Sequence, residues 1–340
     1  MSIAIQSLVQ VDTEACNRVA EFIASKPIPP DQEDSRLPGF ARNAVGNLYL
    51  ALVAICHQTS PRGCAPLEGT VAGIRRRGWD YLFAQLEEAA RTDLTLLEPR
   101  RWASLSADEI RVMFRDSELG ERLSNPELRS ELLRDLGHRM MGHGWRWADD
   151  IYQLSDGRIG TGEPNLLQLL AEFRAYSDPV RKKSLFYLAL MRNAGLWQYV
   201  DEEQLGTPVD YHEVRGHLRL GTVRIIDESL QQKVLRLHPV SGIEDVAIRQ
   251  AVYDAIMLIS ERSGLRNPSQ LHYLFWNVFR SICTRESPPC FQLSPTCSLP
   301  ARYMHLTELQ AGRRCPFSEV CESAGHTHPI CEHVFETDYY

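Results

Sequence analysis

The chain has 340 residues, 44% of them hydrophobic and 24% charged, and its formal net charge is −7. This length and balance are typical of an ordinary globular protein with one large domain or two modest ones. The acidic net charge excludes a wholly basic nucleic-acid-binding surface, because phosphates are bound mainly by Lys and Arg. Local basic patches remain, at residues 75–77, 100–101, 181–183 and 313–314.

The sequence predicts neither a secretory signal nor a membrane span. Residues 1–10 lack the basic start and small-residue cleavage site of a signal peptide. The longest apolar run, residues 48–56, is too short to cross a bilayer. We therefore expect a cytoplasmic protein. In a reducing compartment, the placing of six of the nine cysteines within 49 residues favours metal binding over disulfides.

Taken in chain order, the predicted elements are helices, so the expected fold class is all-α. Two capping boxes, Ser106-x-x-Glu109 and Ser124-x-x-Glu127, each predict the start of a short helix. No stretch shows the sustained alternation flanked by turns that a β-hairpin requires.

Two longer helices follow towards the C-terminus. Residues 246–263 read as one helix, which Gly264 closes. Asn267-Pro268 opens the next helix, and Cys283 lies just beyond its end. Its apolar residues form a helical stripe: Leu271, Leu274, Phe275, Val278, Phe279 and Ile282.

Breaks in composition divide the chain. They fall at residues 26–38, rich in Pro and acidic residues, at the Gly-rich residues 154–164, and after Ser281. We predict an N-terminal helix and loop (1–42), a helical body (43–282) of one or two lobes, and a cysteine-rich metal-binding region (283–340).

Asp210 opens a predicted helix in the segment Val-Asp-Tyr-His-Glu-Val-Arg, residues 209–215. A carboxylate at this position can simply cap the helix. It can also stabilise the positive charge that builds on a sugar as its base departs, and orient the attacking water. The segment alone leaves both roles open.

Four downstream cysteines fall into two pairs, Cys283-x6-Cys290 and Cys315-x5-Cys321, with 24 residues between the pairs. Cys297 lies in that insertion and is a possible substitute ligand. Four thiolates can hold an iron–sulfur cluster. Zinc is the alternative, although both spacings are wider than those of usual zinc knuckles.

A further group, His326, His328, Cys331 and His333, has ligand types suited to zinc but no standard spacing. We interpret these residues as part of a polar tail.

The Asp210 segment and the cysteine pairs together resemble the helix-hairpin-helix base-excision DNA glycosylases of the endonuclease III and adenine glycosylase group. The family carries Val-Asp-Thr-His-x-x-Arg, and the matching positions here are Val209, Asp210, His212 and Arg215. The resemblance implies a two-lobed helical fold, a catalytic role for Asp210, and a [4Fe–4S] cluster. The cluster ligands that it implies are Cys283, Cys290, Cys315 and Cys321.

Residues 47–59 form an apolar helix that ends in His57-Gln58-Thr59. The segment resembles the family helix ending in Gln-x-Thr, whose Gln fills the gap left when a base is flipped out of the duplex. By this resemblance, Gln58 and its neighbour His57 are expected near the substrate. Tyr211, His212 and Arg215 are expected there too, beside Asp210. A core helix with a polar end stays open as the alternative.

Family glycosylases also place a glycine-rich hairpin before the catalytic Asp, where its N–H groups grip a phosphate, and bifunctional members add a Schiff-base Lys. The corresponding residues here, 176–184, contain no glycine, and Lys183 lies 27 residues before Asp210. We therefore predict a monofunctional enzyme in which Lys183 is the counterpart of the family lysine and contacts phosphate. Solvated surface charge is the alternative role for Lys182 and Lys183.

The chain also resembles the queuosine-salvage N-glycosylases, which lack the glycine hairpin and act on a modified nucleotide. The similar segments are residues 209–212, 246–251 and 271–276. The expected function is hydrolysis of the N-glycosidic bond of a damaged or modified base in DNA. The alternatives are hydrolysis of a queuosine-type nucleotide and a non-catalytic iron–sulfur protein that binds nucleic acid.

Overall fold

The computed structural model describes residues 7–30, 37–265, 267–293, 297–309 and 312–340. About 51% of the residues are helical, which confirms the prediction of a mostly helical chain. The α-helices, in chain order, are α1 (Thr13–Ala24), α2 (Arg42–Ala54), α3 (Trp79–Thr92), α4 (Pro99–Trp102), α5 (Ala107–Met113), α6 (Pro126–His143), α7 (Ala148–Leu154), α8 (Leu166–Ala171), α9 (Lys182–Asn193), α10 (Tyr211–Leu220), α11 (Glu228–Leu235), α12 (Gly242–Ser263) and α13 (Pro268–Ser281). The strands are β1 (Val9–Val11), β2 (Glu68–Val71), β3 (Ile74–Arg77), β4 (Val223–Ile225), β5 (Glu308–Leu309) and β6 (Gly312–Arg313).

The strands form three antiparallel two-stranded sheets within the described ranges, β1 with β4, β2 with β3, and β5 with β6. The β2–β3 hairpin contradicts the expectation that the chain lacks one. Its strands have four residues each, which is too short for alternation to stand out, and its turn is Ala72-Gly73. Among the described helices, none is both long and apolar enough to span a bilayer.

Contacts divide the chain into two compact units. Unit 1 contains Met1–Gln32 and Gly206–Glu336, and unit 2 contains Glu33–Leu205 and Thr337–Tyr340. Residues near the N-terminus and the cysteine-rich region therefore share one unit, a grouping different from the three consecutive segments predicted from composition. The predicted breaks at 154–164 and after Ser281 coincide with helix ends, whereas residues 31–36 of the first break lie outside the described residues.

Unit 1 is built on α1, α10, α12 and α13, whose apolar faces share one core. Helices α10 and α13 pack closely at Gly216, where an added Cβ would stand 2.2 Å from the ring of Phe279. A side chain at this position would force the two helices apart. This close approach fixes the start of α10, at Asp210, relative to α13.

Unit 2 surrounds α2, whose residues from Ala44 to Ala54 are all buried. Buried polar groups secure this helix. The Asn47 amide donates to the carbonyls of Leu97 and Arg146 at 2.8 and 3.0 Å, and the Tyr176 hydroxyl donates to the Leu50 carbonyl at 2.6 Å. Such hydrogen bonds satisfy polar groups that would be costly to bury alone.

Most of the local helix predictions are confirmed. The capping box at Ser106 is present, and Gly264 ends α12 in the left-handed conformation with φ +75°. The capping box predicted at Ser124 is wrong. The N-cap of α6 is Asn125, which precedes Pro126 and makes no side-chain cap. The Ser124 hydroxyl instead donates to the Gln58 carbonyl at 3.0 Å.

Candidate active site and cysteine cavity

Asp210 is the N-cap of α10 and is half-buried. Its Oδ1 accepts hydrogen bonds from the N–H of His212 at 2.7 Å and of Glu213 at 3.4 Å. Its Oδ2 accepts from the indole Nε1 of Trp276 on α13 at 3.1 Å. One carboxylate oxygen therefore holds the helix start, and the other is oriented by an aromatic donor.

A buried acid–histidine pair, Glu213 and His272, lies next to Asp210. Glu213 is fully buried, its Oε2 accepts from the Asp210 N–H at 2.9 Å, and its Oε1 lies 2.5 Å from Nδ1 of His272. Burial raises the pKa of Glu213, and the contact with His272 works in the opposite direction. Glu213, His272 and Trp276 were not among the site residues predicted from the sequence. The i to i+3 spacing of Asp210 and Glu213 is a capping-box signal that could have identified Glu213.

The neighbours of Asp210 on α10 form a chain of contacts. Tyr211 and His212 are half-buried, with ring centroids 4.2 Å apart. Nη2 of Arg215 lies 2.8 Å from Nδ1 of His212 and donates to the Phe279 carbonyl. Nη1 of the same guanidinium donates to Glu332 at 2.9 Å, and Nε donates to the Cys283 carbonyl at 2.8 Å. Arg215 is buried and its donors are engaged within the protein.

Four cysteines of the predicted ligand set border a single cavity in unit 1. They are Cys283, Cys290, Cys315 and Cys321. The remaining lining is largely apolar and includes Phe279, Ile282 and Phe317. Among the described residues, Cys297 does not belong to this lining. The structure therefore brings together both cysteine pairs across the long insertion between them.

The thiols in this cavity are held by backbone and by one arginine. The N–H of Cys315 donates to the Cys290 carbonyl at 2.9 Å, which joins the two pairs. Arg219 of α10 donates from Nη1 to Sγ of Cys283 at 3.2 Å, and its own carbonyl accepts from Sγ of Cys321 at 3.2 Å. Burial raises the pKa of Cys321 to about 12 and also raises the pKa of Cys315 well above its usual range.

No group of three or more His, Cys, Asp or Glu side chains in the described part of the chain converges closely enough to hold a single metal ion. The polar-tail interpretation of residues 326–333 is wrong for its second half. His333 is buried with Nε2 2.8 Å from Oδ1 of Asp245, and Sγ of Cys331 donates to the Arg285 carbonyl. Both side chains contact partners distant in the sequence, so local composition did not reveal their environment.

In unit 2, Gln58 follows α2 with a φ of +44°, an uncommon backbone conformation for a residue other than glycine. Its N–H donates to the Tyr340 carbonyl at 3.2 Å, while its half-buried side-chain amide takes no hydrogen bond from the described residues. The preceding His57 is buried, and burial lowers its pKa well below the usual range, with Arg129 contributing to the shift. His57 is therefore a neutral imidazole.

Lys183 is fully buried, which contradicts the surface-charge interpretation. It lies in the first turn of α9, and its Nζ donates to the Ala54 carbonyl at 2.5 Å. Burial lowers the pKa of Lys183 to about 7. Lys182 is also buried, and its Nζ lies 3.4 Å from Sγ of Cys56. At the start of α9, Asp178 accepts from the N–H of Lys182 at 2.9 Å.

The predicted site residues thus form two groups. Unit 1 holds Asp210, Tyr211, His212 and Arg215 on α10, together with the four cavity cysteines. Unit 2 holds His57, Gln58 and Lys183.

No family model matches the chain. Two curated relatives share a segment with it, and both are the ribosome maturation factor RimM, from two strains of Thermus thermophilus. Each is 29% identical over 110 residues, which cover 30% of this chain and 65% of the relative. The chain therefore matches less than two thirds of the length of these relatives, and the similarity is too short and too distant to assign a family.

Proposed function

We propose that the protein hydrolyses the N-glycosidic bond of a damaged or modified base in DNA, with Asp210 as the essential carboxylate. One observation carries the proposal. Helix α10 begins at Asp210 and, farther along, Arg219 of the same helix contacts the thiol of Cys283. The two sequence features that resemble the iron–sulfur glycosylases are therefore linked through one short helix. The division into two compact units supports the expected two-lobed fold.

The chemistry requires one correctly placed carboxylate. As the base departs with the bonding electron pair, positive charge develops on the sugar, and a nearby anion stabilises it. Oδ2 of Asp210 suits this role, because Oδ1 is committed to two backbone N–H groups and Trp276 orients Oδ2. The carboxylate would then accept a proton from the water that attacks the sugar.

The other predicted residues take different roles in this proposal. Gln58 keeps its wedge role, because its side-chain amide is not used by the described residues. Arg215 positions the site instead of touching substrate, since its donors bind His212, Glu332 and two backbone carbonyls. Tyr211 and His212 remain the proposed lining for the base.

Lys183 has a pKa of about 7, so part of its population is neutral near physiological pH, as a Schiff-base nucleophile requires. Its complete burial against Ala54 keeps the amine from solvent. We therefore retain a monofunctional glycosylase as the proposal, and the phosphate contact by Lys183 stays a prediction.

The cysteine cavity fits a [4Fe–4S] cluster as the proposed cofactor. Each thiolate would bind a different iron, so the four sulfurs need not converge as closely as around one ion. Thiolates at Cys315 and Cys321 would be unfavourable without a cation, because burial raises the pKa of both thiols. A cluster held by Cys283, Cys290, Cys315 and Cys321 would supply the positive charge of its irons. It would also cross-link the cysteine-bearing segments, which Arg215 and Arg219 of α10 contact at Cys283 and Cys321. Its proposed role is structural.

The first test is metal and acid-labile sulfide analysis of anaerobically purified protein. About four irons and four sulfides per chain, the content of one such cluster, is the expected result. Zinc alone would favour the alternative metal and weaken the link to the iron–sulfur glycosylases.

The second test compares Asp210→Asn with Asp227→Asn in base release from duplexes carrying modified bases. Asp227 caps α11, where its carboxylate accepts from the Leu230 N–H at 2.8 Å, so this variant makes the same substitution at another helix start. We expect Asp210→Asn to abolish release and Asp227→Asn to retain it. Full activity of the Asp210 variant would exclude the proposed mechanism.

Hydrolysis of a free modified nucleotide is the second candidate. The feature that supports it is the start of α9, where residues 176–184 contain no glycine and Asp178 accepts from the N–H groups of Val180 and Lys182. Salt separates the two candidates, because duplex binding weakens steeply as salt rises and turnover of a small nucleotide does not. In either function, the location that we propose is the cytoplasm.

A further inference from the structure

The β2–β3 hairpin of unit 2 is a basic, exposed ribbon in an acidic chain. Residues 68–77 carry three arginines and one glutamate, a charge of +2 (3 − 1), whereas the whole chain has a net charge of −7. The strands pair Glu68 with Arg77 and Val71 with Ile74 across the turn Ala72-Gly73. Both turn residues have positive φ, at +51° and +77°, as a tight two-residue hairpin turn requires.

The two faces of this ribbon differ. Gly69 faces the body of unit 2, where an added Cβ would stand 2.4 Å from Oδ2 of Asp116 and 2.5 Å from the ring of Tyr81. The same Oδ2 accepts from the Thr70 N–H at 2.7 Å, while Oδ1 accepts from the N–H of Leu119 at 2.7 Å. The buried Asp116 thus anchors β2, so the hairpin projects from a fixed base.

The outward side of the hairpin offers positive charge. Arg75 and Arg77 lie two residues apart on β3, so their side chains share one face of the ribbon, and both are exposed. Arg75 pairs with Glu68 at 3.0 Å yet keeps 66% of its side chain exposed. Ile74, next to the turn, is 56% exposed but lies on the opposite face of the ribbon, across from its partner Val71.

The base of the hairpin adjoins the loop that carries Gln58. The N–H of Leu67, just before β2, donates to the Thr59 carbonyl at 2.8 Å. Gly78, just after β3, donates to the Leu67 carbonyl at 2.7 Å, and a Cβ at Gly78 would stand 3.2 Å from the Thr59 hydroxyl. Each four-residue strand of the hairpin is about 13 Å long, at 3.3 Å per residue. A partner that contacts Gln58 is therefore within reach of the hairpin.

We propose that the β2–β3 hairpin is a contact element for duplex DNA, with Arg75 and Arg77 on phosphates. A two-stranded ribbon fits the major groove of B-DNA, and arginine side chains bind its backbone. The inference rests on the proposed function. It identifies the substrate as a polymer, because a free nucleotide would have no use for a ribbon of this length beside Gln58.

The test measures binding of a fluorescent, unmodified duplex of about 20 base pairs by anisotropy between 50 and 200 mM salt, the range over which phosphate contacts are resolved. Arg75→Ala/Arg77→Ala should weaken binding on the order of tenfold and lower the salt slope by about 1.8, from two contacts of about 0.9 each.

The matched control is Arg100→Ala/Arg134→Ala, which removes two exposed positive charges of unit 2 outside the hairpin. We expect the control to bind like the unaltered protein. Equal weakening by the two double variants, no weakening by either, or no duplex binding by the unaltered protein would overturn the inference. Thermal unfolding of each variant verifies that the fold is intact.

Base release and duplex binding are separate readouts. Asp210-dependent base release from duplex DNA, with no effect of the hairpin variants on DNA binding, would overturn the hairpin inference alone. Hairpin-dependent DNA binding without base release from any substrate would support the inference and refute the glycosylase proposal.

Discussion

The indole Nε1 of Trp276 donates a hydrogen bond to Oδ2 of Asp210 at 3.1 Å, and so joins the middle of α13 to the start of α10. The close packing at Gly216 keeps these two helices in register. A hydrogen bond to a charged group is worth about 1.5–3 kcal/mol. Trp276 is therefore positioned to hold the oxygen on which the proposed reaction depends.

Trp276→Phe should lower kcat about tenfold or more and leave KM nearly unchanged, because it removes orientation of the carboxylate and leaves the other substrate contacts in place. Single-turnover base release gives the two parameters separately. Trp145→Phe is the matched control, since Trp145 stacks on His143 with centroids 4.0 Å apart and is remote in sequence from α10 and α13. Equal kcat for the Trp276 variant and the unaltered protein would remove Trp276 from the proposed site.

The four predicted cluster ligands line the cysteine cavity, whereas Cys297, the predicted substitute ligand, does not. Cys290→Ser should lose most of the iron and sulfide, because Cys290 lines the cavity. Cys297→Ser should retain both, since Cys297 lies outside that lining. Iron and sulfide analysis with the visible spectrum checks both variants. Loss of the cluster from the Cys297 variant, with retention in the Cys290 variant, would reverse the ligand assignment.

The buried Arg215–Glu332 ion pair predicts a large effect on stability. Burial alone would raise the pKa of Glu332, but the charges of Arg215 and Arg285 hold it at about 2. Because the folded pKa is below the unfolded value, the stabilisation is present above about pH 4.5 and is lost as pH falls towards 2. Breaking one partner of a buried pair costs about 3–5 kcal/mol.

Glu332→Gln should therefore lower the free energy of unfolding by several kcal/mol at pH 7, with a smaller difference from the unaltered protein at pH 3. Urea unfolding at both pH values measures this. Glu336→Gln, at an exposed position four residues later, should change little. A pH-independent loss in the Glu332 variant would mean that the ion pair is not the source of the stability.

Local signals in the sequence predicted the parts of this fold that depend on neighbouring residues. The apolar stripe of α13, the Asn267 cap and the Gly264 stop all lie within a few residues of the feature they control. The cysteine spacing also identified the four residues that line one cavity.

The missed features depend on contacts between residues far apart in the chain. Glu332 pairs with Arg215 across 117 residues, and Trp276 reaches Asp210 across 66. The hairpin was missed because Gly69 and Asp116, 47 residues apart, fix a pair of strands too short to show alternation. Burial of Lys183 likewise follows from packing against α2, and its charged neighbours in sequence predicted the opposite.

Lys183 gives the last prediction, which concerns alkaline pH. Burial lowers its pKa to about 7, below the unfolded value of 10.5. Between these values the unfolded chain binds more protons than the folded chain, so this residue makes stability rise with pH from about 7 to 10.5. Lys183→Met keeps a long apolar stem and removes the titrating amine, and it should flatten that rise. Urea unfolding at pH 7, 8.5 and 10 follows the difference, with Lys233→Met, which removes an ammonium paired with Glu244, as the control. If the Lys183 variant kept the full pH dependence, another group would be its source, and the Lys183 amine would have to be protonated in the folded protein.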